Sequence, residues 1–253
     1  MRQFSLENIK GETFSLNDDS AFLHSPAGLG FSRDIEFQRM GIHHGIVSDG
    51  FSQKSISGSV CFSDDSESSA YEKYAAFARF LQFTPLILHY TTDRHYKIDV
   101  MPSTIEKTEI EALGLDVSVD FTAISLFYED VEAAGTSEVI IRSDSAIISP
   151  CKLRLGDPSG SSVAFTWSQY VDDTLVMQGG VSTSKTCIEV RSDSTQYQIV
   201  AVTANGAETD IYAYSDFSKG RFPYIYPGVN RFVNLNATNT AIKVTGRIEY
   251  ATV

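Results

Sequence analysis

Short runs in which apolar and polar residues alternate dominate this chain. Apolar residues in 4–6 and 12–16 flank Lys10-Gly11, and that spacing predicts an opening hairpin. His24-Ser25-Pro26-Ala27-Gly28-Leu29-Gly30-Phe31 carries one Pro and two Gly and reads as a turn. Residues 34–37 are strand-like. The stretch 41–55 is polar and punctuated by Gly, and predicts a long hairpin or arm. Residues 57–62 return to strand character, with Val60 and Phe62 on one face. One segment departs from the period of two. Tyr74, Phe77, Ala78 and Leu81 recur at i, i+3, i+4, i+7, which predicts a helix over about 70–82. Ser68 or Ser69 is placed to cap it, and Thr84-Pro85 to stop it. Residues 86–90 and 96–100 read as strands. Leu115, Val117, Val119 and Phe121 alternate with polar residues, and after Ala123 the apolar set slips by one to Ile124, Leu126 and Tyr128. A slip of that kind predicts a bulge or a bend.

The segment 129–137 is acidic and then rich in Ala, Gly and Thr, and marks a domain boundary. Beyond it nearly every segment alternates. Leu153 and Leu155 stand against Lys152 and Arg154, and Ile188 and Val190 against Glu189 and Arg191. Ile242, Val244, Ile248 and Tyr250 stand against Lys243, Thr245, Arg247 and Glu249. Turn signals fall at Asp157-Pro158-Ser159-Gly160, Gln178-Gly179-Gly180, Asn205-Gly206 and Pro227-Gly228. The expected fold is mainly β. It comprises an α+β first domain over 1–132 with one helix, and an antiparallel β-sandwich over 133–253.

Composition changes this picture little, but charge does. Of 253 residues, 42 % are hydrophobic and 21 % charged, enough to bury a sizeable core. The net charge is −12. Residues 1–132 hold 10 Lys/Arg against 21 Asp/Glu, and residues 133–253 hold 10 against 11. Neither half has the clustered cations that phosphate binding needs, so specific nucleic-acid recognition is not expected. The acidic half reads as a hydrated, soluble surface. Cys61, Cys151 and Cys187 are odd in number and far apart. They read as reduced thiols made in a cytoplasm rather than as a disulfide frame or zinc site. No run is long and apolar enough for a transmembrane helix, and the start of the chain shows no secretory h-region.

The sequence nominates no catalytic, metal-binding or cofactor-binding residues. His43-His44 is adjacent, so one face cannot aim both rings at one ion. Asp64-Asp65 and Asp172-Asp173 lack calcium-loop spacing and read as solvated turns. There is no GxSxG, and any of His24, His43, His44, His89 and His95 could meet a Ser and an Asp in space. Gly28-Leu29-Gly30 lacks the third Gly and the following helix of a phosphate loop. Two features stay open to binding. Trp167 and Tyr170 could form a sugar-stacking platform on the sandwich surface, or Trp167 could fill its core. Tyr212, Tyr214, Phe217, Phe222, Tyr224 and Tyr226 could form a binding surface, or pack in a core or interface.

Three segments carry a family resemblance. The first is Gly11-Glu12-Thr13-Phe14-Ser15-Leu16 with Phe22 and Ser25-Pro26-Ala27-Gly28-Leu29-Gly30-Phe31. The second is the helix over 71–83 followed by Thr84-Pro85-Leu86-Ile87-Leu88-His89-Tyr90. The third is Ser215-Asp216-Phe217 with Arg221-Phe222-Pro223-Tyr224-Ile225-Tyr226-Pro227-Gly228-Val229-Asn230 and Arg247-Ile248-Glu249-Tyr250. In order along the chain, they resemble the distal tail proteins of long-tailed phages that infect Gram-positive bacteria. The resemblance implies a belt domain over 1–132 that assembles into a homohexameric ring, and a galectin-like sandwich over 133–253. Such a ring joins the tail tube protein to the tail-tip hub or fibre protein and often displays receptor-binding proteins. DNA passes through it without specific binding, and nothing inserts into a membrane. The implied place is the tail tip of a virion, made in the host bacterial cytoplasm, with no catalysis and no cofactor. Gly41, Ile42, His43, His44, Val47 and Phe51 would be the assembly arm. The alternative is a carbohydrate-binding module for host cell-wall polymer.

Overall fold

A computed structural model of the chain describes residues 2–19, 21–40, 42–63, 67–110, 114–192, 197–219 and 222–253. It resolves into two units. One runs to Tyr128 and includes Ala251–Val253, and the other is Glu129–Tyr250. Both are mainly β.

The first unit contains β1 (Gln3–Glu7), β2 (Thr13–Ser15), β3 (Asn17–Asp18), β4 (Ala21–Ala27), β5 (Arg33–Met40), β6 (His43–Phe51), β7 (Ser55–Ser63), α1 (Glu67–Phe80), β8 (Leu86–Thr91), β9 (His95–Ile110) and β10 (Gly114–Ala123). Eight of its strands form one antiparallel sheet in the order β3-β4-β7-β10-β9-β8-β1-β2. The sheet rolls until its ends meet. The Leu16 amide donates to Phe4 O at 3.0 Å, and the Leu23 amide donates to Leu16 O at 2.9 Å. Inside the roll lie Leu6, Leu16, Val60, Phe62, Leu86, Leu88, Ile98 and Val117, all buried. The helix closes this core. Phe77 sits 5.0 Å from the Phe14 ring and 5.4 Å from the Phe62 ring, and Ala70, Phe80 and Leu81 are buried with it. Such interlocked rings are worth more than their buried area alone.

The helix starts at Glu67, earlier than its periodicity predicts. Ser68 and Ser69 therefore lie inside it. Asp64 and Asp65, read as a solvated turn, lie outside the described residues. The turn expected at 24–31 is also revised. Strand β4 continues through Ser25 and Pro26, and its pairing with β7 slips between His24 and Ala27. Pairing across the sheet outweighs the local turn signal, and Pro sits where the register is broken. The slip after Ala123 is the expected bend, after which Phe127 and Tyr128 are again buried.

Strand β11 (Phe127–Thr136) leads into the second unit. There follow β12 (Glu138–Ser143), β13 (Ser149–Leu155), β14 (Thr166–Val171), β15 (Thr174–Val181), β16 (Ile188–Arg191), β17 (Gln198–Val202), β18 (Glu208–Asp210), a 3-10 turn at Tyr212–Tyr214, β19 (Ser215–Lys219), β20 (Tyr224–Ile225), β21 (Gly228–Asn234) and β22 (Ala241–Tyr250). One sheet runs β18-β17-β16-β13-β22-β11 and the other β12-β21-β14-β15-β19, and together they make a β-sandwich. Leu153, Leu155, Ile188, Val190 and Val244 of the first sheet, and Val139, Ile141, Trp167, Met177 and Phe232 of the second, fill the core. The two-residue turn between β14 and β15 is Asp172-Asp173, both at positive φ (46° and 64°). Gln178-Gly179-Gly180, expected as a turn, lies inside β15. A Cβ on Gly179 would stand 2.5 Å from the Trp167 ring, so Gly is there to admit the indole.

The units share the charge less unevenly than the halves of the sequence do. Glu129, Asp130 and Glu132 belong to the second unit. Glu132 pairs with Lys243 at 2.7 Å, and Glu129 accepts from the Tyr250 hydroxyl at 2.7 Å. Residues 1–128 then hold 10 Lys/Arg against 18 Asp/Glu, and residues 129–250 hold 10 against 14.

Candidate functional site

Strands β5 and β6 form a two-stranded sheet of their own, with Arg33 opposite Phe51 and Met40 opposite His43. The hairpin thus begins earlier than the 41–55 segment. Its surface is unusually apolar: Ile42 is 88 % exposed, Ile46 63 %, Phe37 58 % and Val47 56 %, with Ile35 and Phe51 also open. Phe51 meets Phe31 edge to face at 6.0 Å, and the Arg33 guanidinium lies 5.5 Å from its ring. His43 is exposed at the turn. Of His44 only the backbone, opposite Arg39, is described, and Gly41 lies outside the described residues.

Two histidine clusters lie in the same unit. His89 Nδ1 is 2.9 Å from His95 Nε2, and His89 Nε2 is 3.0 Å from Glu7 Oε2, with the two rings stacked at 5.1 Å. Burial holds the His89 pKa below its ordinary value. The Glu7 hydrogen bond opposes that shift, and the His95 charge adds to it. Neutral His89 can donate to Glu7 from Nε2 and accept from His95 at Nδ1, a self-satisfied chain joining β1, β8 and β9. Elsewhere His24 Nε2 is 3.0 Å from Asp116 Oδ1, and His24 Nδ1 is 3.3 Å from Ser25 Oγ. This aligns a hydroxyl, an imidazole and a carboxylate. However, the His24 side chain is 41 % exposed, so water competes for each bond. The link spans from β4 to β10 across β7, and acts as a tie between strands. Among the described residues, no group of three or more His, Cys, Asp or Glu side chains could hold a metal ion. Among them too, no helix is long and apolar enough to cross a membrane.

In the second unit Trp167 is fully buried, which corrects its reading as a surface aromatic. An indole packed over Gly179 offers no face to a sugar. Tyr170 is half-buried, and the Arg231 guanidinium covers its ring at 4.3 Å.

The later aromatic residues do converge. Tyr197, Tyr212, Phe222 and Tyr224 line a cleft of about 430 Å³. Phe222 is buried and stacks on Tyr197 at 4.6 Å and 22°, and it lies nearly parallel to Tyr212 at 6.3 Å and 15°. The Tyr197 and Tyr224 hydroxyls are 2.7 Å apart. Burial, seconded by that bond, pushes the Tyr224 pKa up to about 12. Two buried amides set the backbone beneath. Gln169 Nε2 donates to Tyr224 O, and Gln169 Oε1 accepts from the Tyr224 amide at 3.4 Å. Asn230 Oδ1 accepts from the Tyr226 amide at 2.9 Å, and its Nδ2 donates to Tyr226 O at 2.7 Å. The Ser192 hydroxyl reaches Pro223 O at 2.5 Å. Tyr197 went unnoticed in the sequence because it stands apart from the 212–226 cluster. Only the pairing of β16 with β17 and the fold of 222–226 bring it in.

A further cleft, of about 220 Å³, is lined by Lys152, Arg154, Glu189, Lys243 and Thr245. Its cations are largely paired: Arg154 with Glu189 at 2.9 Å and Lys243 with Glu132 at 2.7 Å.

Comparison with known proteins places this geometry. Residues 3–124 match the family model described as the distal tail protein, N-terminal domain. No curated protein matches the chain. Among solved structures it is similar to chains of the phage p2 baseplate in its activated conformation, with calcium and with strontium. Each has 13 % identity and a TM-score of 0.60 over the whole of both chains. It is also similar to the Dit protein of phage SPP1, described as a paradigm of the hub adsorption apparatus in phages infecting Gram-positive hosts. Identity there is 13 % and the TM-score 0.69, over 96 % of this chain and 98 % of that one. At such identity the structural likeness is one of fold. The matched family segment, however, ends four residues before the first unit gives way to the second. Residues 3–124 thus carry the N-terminal domain of the distal tail protein family.

Proposed function

We propose that the chain is a structural component of a phage tail tip, without catalysis, whose first unit assembles into a homohexameric ring. The ring joins the tail tube to the tip hub or fibre protein and lets DNA pass along its axis. The second unit, as a galectin-like sandwich, carries neighbouring tip proteins, receptor-binding proteins among them. The observation that carries this reading is the coincidence of the family segment with a unit that presents the β5–β6 hairpin. A two-stranded hairpin is marginal alone in water, and one with this much bare apolar surface is completed by a partner. A closed ring needs two different patches that fit each other on every subunit. The hairpin, with Ile42, His43, His44 and Val47 toward its tip and Phe51 at its base, is the natural half of such a contact. Three free cysteines suit synthesis in a bacterial cytoplasm.

The test is the mass and shape of the purified chain. Six copies of 27.9 kDa give about 167 kDa, and negative-stain images should show rings with a central opening. A monomer at all concentrations, with no ring on the tube protein, would remove the proposal.

A further inference from the structure

The aromatic cleft of the second unit has a chemistry that a purely mechanical role leaves unused. We propose that Tyr197, Tyr212, Phe222 and Tyr224 form a binding site for a neutral saccharide. Such a site would serve with or without a ring. Every described lining residue is aromatic, three of the four carry a hydroxyl, and none is charged. That combination fits a ligand with flat apolar faces edged by hydroxyl groups. An aliphatic side chain would leave the phenols without use, and an anionic polymer would find no cation among the described lining residues. Cations do line a second cleft at Lys152, Arg154 and Lys243, where Glu189 pairs with Arg154 and Glu132 with Lys243.

The geometry supports stacking. Buried Phe222 fixes two nearly parallel rings, and Tyr197 and Tyr212 remain 56 % and 50 % exposed, so each keeps ring surface open to solvent. The polar side of the site is set as well. In the 2.7 Å Tyr197–Tyr224 contact one phenol donates to the other. The accepting phenol keeps its own proton for a ligand, and both oxygens keep acceptor capacity. The site is also built in advance. Gln169, Asn230 and Ser192, all buried, clamp the backbone of 223–226, and the Tyr212 amide donates to Asp210 Oδ1 at 2.8 Å. A site held this way pays little ordering entropy on binding, and its volume lies in the range of small-ligand sites.

The experiment is a titration of the intact chain with maltotriose, cellotriose and chitotriose, read by saturation-transfer NMR and calorimetry, with decaproline as a peptide control. At least one trisaccharide should bind saturably. Tyr212→Ala should weaken it roughly three- to tenfold, the worth of one stacked ring. The Tyr197→Phe, Tyr224→Phe double variant should weaken it while keeping every ring, and so guards against a folding artefact. Thermal midpoint and oligomeric mass should be unchanged in both, which separates loss of the site from loss of the ring. The proposal is overturned if no trisaccharide binds, if binding survives Tyr212→Ala and the double variant alike, or if decaproline alone occupies the cleft.

Discussion

Asn239 is the side chain on which the loops at one end of the sandwich close, and its replacement by Asp should be costly in a pH-dependent way. It is 5 % exposed. Its Oδ1 accepts from the Asp157 amide at 2.9 Å, while Nδ2 donates to Ser161 O at 3.0 Å and Thr186 O at 2.6 Å. Asn239→Asp keeps the shape and the acceptor, but turns an oxygen toward two carbonyls that had a donor. Each such loss at a buried partner costs about 1–3 kcal/mol. Roughly 3–4 kcal/mol is then expected, a large part of a typical total of about 5–15 kcal/mol. The unfolding midpoint should fall by about 10 °C or more. The sign with pH follows from the protonated acid, whose hydroxyl can still donate to one carbonyl. Folding therefore favours the neutral form and raises the pKa of this carboxyl above its unfolded value of about 3.9. The variant should come closest to the parent at and below pH ~4, and lose ground as pH rises from there toward the raised folded pKa. Trp167, the one Trp of the chain and fully buried, reports unfolding of this unit by fluorescence in urea. Equal stability of variant and parent at pH 7, or a gap that does not change between pH 4 and 7, would refute the reasoning.

Burial pushes the Cys187 thiol up to about 11 and Cys151 is buried too, whereas Cys61 is partly exposed. A thiol reagent at pH 8 should therefore titrate one thiol in the folded chain and three after denaturation, and a second fast thiol would contradict this. Gly179→Ala, whose Cβ would meet the Trp167 ring at 2.5 Å, should destabilise by about 1–3 kcal/mol and shift Trp167 emission, and a neutral outcome would show that the indole can move aside. Deletion of residues 42–51 should abolish or weaken ring formation or docking on the tube protein while the core of the first unit still melts as before; an intact hexamer that binds the tube protein clears the hairpin of that role. If the net −8 of residues 1–128 lines a channel, reversing several acids facing the axis should make rings bind duplex DNA at low salt, and reversing as many on the rim should not; equal behaviour means the charge serves solubility alone.

The elements most legible in the sequence are those whose signal is local. Lys10-Gly11 between two apolar runs gives the β1–β2 hairpin, with Gly11 at φ 76°. The 3.6-residue spacing of Tyr74, Phe77 and Leu81 gives α1, although Phe80 rather than Ala78 completes its buried face. Strict alternation gives β13, β16 and β22. Illegible were the features set by a distant partner. Pro26 reads as a turn because nothing nearby reveals that β7 will hold β4 through it. Gly179-Gly180 reads as a turn because the Trp167 that needs the space lies a strand away. The same ignorance of partners made Trp167 a candidate platform and hid Tyr197. Of the candidate arm, the existence of a hairpin was legible, but not its start at Arg33, because Arg33–Met40 carries no Gly or Pro to join it to the next strand.

What the buried polar residues do bears directly on the kind of protein this is. In a catalytic site such groups converge on a space where a reacting atom could sit, and their pKa values are driven apart. Here Gln169, Asn230, Asn234 and Asn239 are all turned onto backbone amides and carbonyls of loops. The charged groups of the outer sheet face run as a cross-strand ladder: Glu132 to Lys243, Arg154 to Glu189, and Arg191 to Glu189 and Glu208. Each interaction is spent on holding a shape. In the first unit the β5–β6 hairpin presents a dense group of exposed apolar side chains, and in the second the Tyr197–Tyr224 cleft presents open aromatic rings. These two surfaces, one on each unit, differ in what they can hold. The hairpin offers backbone edges and aliphatic side chains, the chemistry of another protein chain. The cleft offers parallel rings and phenols, the chemistry of a small hydroxylated ligand.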